Sequence, residues 1–448
     1  MTNKNFAKEK AYIIDVFCKD FLRTEYEIEF SDSVKGYEVK LGNVSLKFPD
    51  VFFDTYYENK NEKAPRVNVF DTGVSFSELS NLPAWFFITK NDDVFNKYTY
   101  PIDIFGMAFF LMTGYSDIHF SETDNHQRNI GKTSFLGINH LIDRPIIQEW
   151  FTVIAIKLFG EGIMEGHNVL PKFRLHISHD VDQPFEYLNY TIRRLLKRVG
   201  GDILVRHSFE TAIKRIKLFI KVRNGDYASD PYNNFDELLE TLKEQEITST
   251  FFFVTGGDHP KHDVLYDINH PAIKAIVKKV ADNGHEIGIH HSYNSLNRPR
   301  LLNLELEKLK AVCEELEISQ KLSSSRKHYL RWDWKTTPKN LYLVGIEDDY
   351  TLGYADRSGF RAGVAFPFGA FDWEEKSKLE LKIHPLILME CSALDECYMN
   401  LSIENAEKKI DSYHKQLQDL GGELVILWHN HRLLDTDELK LFKKSISL

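Results

Sequence analysis

Five short stretches hold residues able to do chemistry together. The first, HISHDVDQP (176–184), closes an apolar run with His179, Asp180 and Asp182. Aspartates two apart at a strand end can both reach a pocket once the chain turns. One can bind a divalent cation while the other stays free as a base, and the cation relieves the repulsion of adjacent carboxylates. The second, GHEIGIHHSYNS (284–295), brings His290 and His291 out of a short strand, and neutral imidazole is a common metal ligand. The third and fourth, SRKHYLRW (325–332) and GFRAGVAFPFGAFDW (359–373), carry Arg326, His328, Arg331 and Arg361. The fifth, VILWHNHRL (425–433), places His429 and His431 after a strongly apolar strand, beside Trp428. Barrel folds set catalytic groups at such strand ends. Each stretch alone has an ordinary explanation in turns, core packing or salt bridges. Their occurrence in one half of the chain makes them a constellation.

The elements that must position these residues are legible from about residue 170 onward. Apolar strands are expected at 173–178, 249–254, 285–290, 327–332, 382–389 and 423–429, and helices at 271–284, 304–317 and 404–422. Strand–helix alternation predicts a parallel α/β sheet or barrel, with chemistry at the C-terminal strand ends. Residues 1–165 differ. YEVKL-GN-VSLKF (37–48) alternates apolar and polar residues around Gly42-Asn43, a hairpin pattern. The run IIQEWFTVIAIKLFG after Pro145 predicts a helix stopping at Gly160. An α+β accessory domain over 1–165 is expected, then a catalytic domain over 166–448 with a basic helical insertion near 185–230. Within that insertion, residues 191–223 hold ten Arg/Lys against Asp202 and Glu210, with apolar residues interleaved. Such a segment is either a solvated helical face or a surface for an anionic membrane or acidic substrate.

Composition narrows the function classes. Over 448 residues the formal charge is 56 − 66 = −10, which argues against non-specific nucleic-acid binding. No run approaches the length of a membrane span, and the N-terminus has no secretory pattern. The four cysteines, Cys18, Cys313, Cys391 and Cys397, include no CxxC pair, which fits free thiols in a reducing compartment. A cytoplasmic location is expected; the oligomeric state is left open.

Together the motifs resemble the polysaccharide-deacetylase domain (NodB-like, carbohydrate esterase family 4) over roughly residues 170–435. Its first motif, an apolar strand ending in two nearby aspartates, is matched by Ser178-His179-Asp180-Val181-Asp182. Its second, GHEIGNH, is matched by Gly284–His290. Its arginine motif corresponds to Arg326-Lys327-His328-Tyr329, with His in place of Pro. Its final strand ending in a histidine corresponds to Ile426-Leu427-Trp428-His429. The resemblance implies a distorted (β/α) barrel, with Asp180 as general base, Arg326 orienting it and His429 as acid. It also implies Asp182 and His290 as ligands of a divalent metal, for which the Asp/His donors suggest Zn2+. The family's second histidine ligand has no counterpart four residues after His290, where Asn294 stands. His291, Asn294, His328 or water completes the set. Tyr329, Arg361 and Trp428 are expected to contact substrate.

The reading implied is hydrolysis of an acetamide on an N-acetylated sugar of a glycan or glycan precursor. Two alternatives stand beside it: hydrolysis of another non-peptide C–N bond, in a cyclic imide or ureide, and a non-catalytic glycan-binding protein. The basic segment also suits a lipid-linked substrate at a membrane surface.

Overall fold

In a computed structural model, the structure describes residues 6–23, 29–31, 36–57, 63–90, 92, 95–165, 169–259, 261–263 and 266–447. The expected boundary at 165–166 borders residues 166–168, outside the described residues.

The N-terminal region builds a small antiparallel sheet from β1 (Glu29–Ser31), β2 (Gly36–Leu41) and β3 (Val44–Pro49), with a separate pair β4 (Asn68–Asp71) and β5 (Asn81–Ala84). The β2–β3 hairpin turns at Gly42, whose φ of +56° is the left-handed value a side chain resists. Helices α1 (Ala7–Asp15), α2 (Ile104–Met112) and α3 (Ile146–Phe159) follow the apolar runs, and α3 stops at Gly160 as expected. Phe17 and Phe21 pack on Phe151 with ring centroids 5.0 and 5.5 Å apart, an aromatic core joining α3 to the N-terminal segment. Gln148, buried in the apolar face of α3, donates to the carbonyls of Leu420 and Gly421 and accepts from the Ala365 amide. A buried amide needs such full satisfaction.

Among the described residues the larger sheet has nine strands: β6 (Phe173–Val181), β7 (Thr250–Val254), β8 (Glu286–His291), β9 (Ser324–Lys327), β10 (Asp348–Asp349), β11 (Phe368–Asp372), β12 (Ser377–Ile383), β13 (Leu386–Met389) and β14 (Gly422–Leu427). Their order is β11-β12-β10-β9-β8-β7-β6-β14-β13. Helices α4 (Ile192–Leu204), α5 (Phe209–Arg223), α6 (Pro271–Asp282), α7 (Pro299–Glu315), α8 (Ile403–Leu420) and α9 (Thr436–Ile446) alternate with the strands. This is the expected α/β architecture of the distorted (β/α)-barrel type, with a smaller α+β region ahead of it.

The chain divides into two compact units, one of residues 1–176 with 329–426, the other of 177–328 with 427–448. In the second unit β6, β7, β8 and β9 run parallel, with Val181 opposite Phe253, Val254 opposite His290, and His290 opposite Arg326. Two local expectations change. The strand foreseen over 327–332 lies at 324–327 and ends where Tyr329 and Leu330 take φ of 63° and 54°. The run 382–389 is cut at His384-Pro385, because proline has no N–H for a ladder.

Candidate active site

Pleat and register set this site. Side chains two apart share a face of a strand, so Ser178 and Asp180, then Asp182 just beyond the strand, point one way. The parallel register levels the end of β6 with Val254, His290 and Arg326. His290 and Arg326 therefore meet the aspartates, while His291 and Lys327 face the opposite side of the sheet.

The observed contacts follow that parity. Arg326, fully buried, donates from Nη1 to Asp180 Oδ1 at 3.0 Å and to Ser178 Oγ at 2.9 Å. Its guanidinium lies 4.7 Å from the centroid of the Phe252 ring. Gly288 makes room for that ring: a Cβ there would come within 2.5 Å of Phe252. Tyr266 ties the strand ends together, accepting from the Val254 amide and donating to the Val181 carbonyl, both at 2.8 Å.

His290 Nε2 lies 3.3 Å from Asp182 Oδ1 and 3.6 Å from Asp180 Oδ2, and its Nδ1 is 2.9 Å from the Arg326 carbonyl. His328 Nε2 is 3.4 Å from Asp182 Oδ2, and His429 Nε2 is 3.7 Å from the same oxygen. Asp182, His290 and His328 each offer one ligand atom, all within 4.8 Å of one another. Asp182 Oδ1 and His290 Nε2 are buried and make no hydrogen bond among the described residues. Buried donors and acceptors left so, facing one another from Asp and His, fit a divalent cation. Burial opposes charge on Asp182, but the His328 and His290 imidazoles outweigh it and hold the carboxyl well below the usual carboxylate range. Burial likewise opposes a charged His290, and Asp180 and Asp182 outweigh it, raising the imidazole.

Three other named residues of the same unit make different contacts. His291 turns to α7, its Nδ1 3.0 Å from Glu305 Oε2, and burial pushes its imidazole down. Asn294 donates to Asp258 Oδ1 at 2.6 Å, held in the loop and outside the Asp182–His290–His328 group. Trp428 is buried, its ring centroid 5.5 Å from that of Phe442. Its amide donates to the Ser178 carbonyl at 3.0 Å, which seats the following His429 at the strand end. Tyr329 and Arg361 belong to the first compact unit. There Arg361 is buried and donates to Asp117, Asn129 and the Gly353 carbonyl. Tyr329 packs against His126, with ring centroids 4.8 Å apart and the planes tilted by 43°.

Sequence reasoning gave no role to Ser178, named only as part of the first motif, and passed over Phe252, Tyr266 and Glu305. The role of Ser178 could have been inferred, since it lies two before Asp180 on the same strand face. Glu305 gave a weaker signal, an acid on the apolar side of a helical run.

Parallel strands deliver a buried Arg–Asp pair and an Asp/His group at their C-terminal ends, on a distorted (β/α) barrel of the polysaccharide-deacetylase type. The family model "Polysaccharide deacetylase" matches residues 226–342, and a family of unknown function, DUF7033, matches residues 1–160. The chain thus carries a polysaccharide deacetylase domain preceded by an accessory region. Among solved structures it is similar to a protein assigned as a polysaccharide deacetylase from Mycobacterium smegmatis, at 16% identity and TM-score 0.38, covering 61% of this chain and 82% of that one. It is also similar to the chitin deacetylase of the fungal pathogen Colletotrichum lindemuthianum, at 13% identity and TM-score 0.29, covering 61% and 81%. A third, Puue allantoinase, stands at 11% identity and TM-score 0.37, covering 61% and 82%. No curated protein sequence matches the chain.

Proposed function

We propose that the protein is a metal-dependent hydrolase removing acetyl groups from N-acetylated sugars of a glycan or glycan precursor, working in the cytoplasm. The observation that carries this reading is the Asp182–His290–His328 group beside the Arg326–Asp180 pair. We assign His328 to the ligand position that the motif spacing leaves open. Asp182, His290 and His328 would hold the ion, and one carboxylate with two imidazoles suits zinc. When bound, the ion supplies Lewis-acid activation of water and polarisation of the acetamide carbonyl.

The chain's own residues supply the rest. Asp180, aimed by Arg326 and Ser178, takes the proton of the attacking water at its carboxylate. His429, beside Asp182, gives a proton to the leaving amine at its imidazole. Acetate and a free amino sugar leave. Residues 1–165 serve as the accessory domain and 166–448 as the catalytic one.

Acetate release from a panel of N-acetylated amino sugars tests this, run beside cyclic imides and ureides on zinc-loaded and chelated protein. Release that needs zinc, and that Asp180→Asn abolishes while zinc stays bound, is the expected result. Turnover of the imides or ureides instead would move the protein to that other C–N chemistry. Purified protein that binds no divalent ion with Asp182 and His290 intact would leave only glycan binding.

A further inference from the structure

The basic segment at 191–223 is absorbed by no step of the proposed chemistry. It folds as a helical hairpin, α4 and α5, with a short turn at 205–208. One face is packed: Leu195 and Val222 join Tyr187 and Tyr190 in a small core, with Val199, Leu218 and Phe219 against it. The outer face is not. On α4, Ile192, Leu196 and Leu204 recur at multiples of four residues, and all are exposed. On α5, Phe209, Ile213, Ile216 and Ile220 form the same stripe, each exposed. Leu204 and Val205, at the hairpin tip, are 76% and 77% exposed. Large apolar side chains aligned at helical spacing on two adjoining helices are not scattered surface residues, and such patches mark interaction sites.

Charge follows the same pattern. Arg193, Lys197, Lys214 and Lys217 each stand one position after a stripe residue, bordering the apolar row. These four and Arg198 are exposed and have no acidic partner among the described residues. The one acid within α4, Asp202, is buried and neutralised by Arg206 and by Arg215 Nε at 2.7 Å. A pocket of about 400 Å³ along α4 is lined by Arg194, Lys197, Arg198, Gly201 and Arg206, four cations and no acid.

We infer that the outer face of the α4–α5 hairpin docks on the surface of an anionic lipid bilayer. Its apolar stripes would enter the headgroup boundary while the basic rows meet lipid phosphates. No described helix is long and apolar enough to cross a membrane, so the contact lies in the interface plane. A second copy fits less well, since a two-fold pairing of this face sets its basic rows against each other. Nucleic acid would use the cations but leave the apolar stripes in water.

Co-sedimentation of the full chain with vesicles tests this. Binding is expected to phosphatidylcholine vesicles containing phosphatidylglycerol, not to phosphatidylcholine alone, and is expected to weaken as salt is added. Lys197→Gln with Lys217→Gln should lower affinity about fivefold per residue, on the order of 25-fold for the pair. Phe209→Ser with Leu204→Ser should reduce binding while the circular dichroism spectrum stays unchanged, both residues being exposed. Leu204→Trp should show a blue-shifted emission on the anionic vesicles only. Failure of the parent chain to sediment with either vesicle would overturn the inference. So would a dimer in analytical ultracentrifugation that Phe209→Ser disrupts without any vesicle binding, or tight binding to nucleic acid alone.

Discussion

Arg326 Nη1 and Asp180 Oδ1 are 3.0 Å apart with both side chains buried, so the one carboxylate assigned as base has its cation inside the protein. The pairing explains why an arginine is placed mid-sheet at all. It also makes the pair a point of failure. Arg326→Met leaves a buried carboxylate uncompensated, which costs about 3–5 kcal/mol. Urea unfolding checks this; a loss below about 1 kcal/mol would mean that Asp180 finds water or another donor.

His328 and Asn294 separate by metal content. His328→Ala should weaken zinc binding by more than the roughly 10–100-fold that outer partners cost. Asn294→Ala should leave it unchanged, its amide being spent on Asp258. Zinc titration against a chromophoric chelator distinguishes the two. The reverse pattern would return the ligand role to Asn294.

His429→Ala should lower kcat by roughly 10²–10⁴, the range for loss of a general acid, with zinc retained. Loss of the metal instead would make His429 a ligand.

Gly288→Ala tests the Phe252 shelf beneath Arg326. The added Cβ falls within 2.5 Å of the ring in a packed interior, and overpacking of this kind costs about 1–3 kcal/mol. Phe252→Leu in the same chain should recover part of that loss. Thermal unfolding of the single and double variants reads the outcome.

A pH dependence resides in the first compact unit. His384 lies between Glu423 Oε2, 2.7 Å from Nδ1, and Asp348 Oδ1, 3.0 Å from Nε2. Burial works against the imidazolium, but Asp348 and Glu423 outweigh it and push the group up to about 9. A raised folded value stabilises fully below the ordinary histidine value near 6.5 and is lost as pH rises through about 9. The stability advantage over His384→Gln should therefore be largest near pH 6, at most about 3 kcal/mol, and shrink toward pH 9.5. An advantage that grows with pH would overturn the assignment.

Much of the scaffold was legible before the structure. Apolar runs bounded by glycine and proline mark β6, β7, β8 and β14 to within three residues, because the interior strands of a parallel sheet are buried on both faces. The break at His384-Pro385 was present in the residues too, since no ladder crosses a proline. The basic segment reads as a helical insertion, and the structure divides it into two helices with a reversal at 205–208; composition alone does not place such a turn.

Within the site, local sequence determined the chemical inventory: which strand ends carry Asp180, Asp182, His290, Arg326 and His429, and that Asp180 and Asp182 share a strand face. Tertiary structure decided the partnerships. Whether His290 or His291 meets those aspartates depends on the register of β8 against β7 and β6, and a shift of one residue would exchange them. The same register, carried to β9, sets Arg326 opposite His290 and brings His328 round to Asp182, while His291 goes to Glu305 and Asn294 to Asp258. Sequence spacing measures distance along one strand, whereas a site at strand ends is assembled across several. Only the hydrogen-bonded register converts the first into the second.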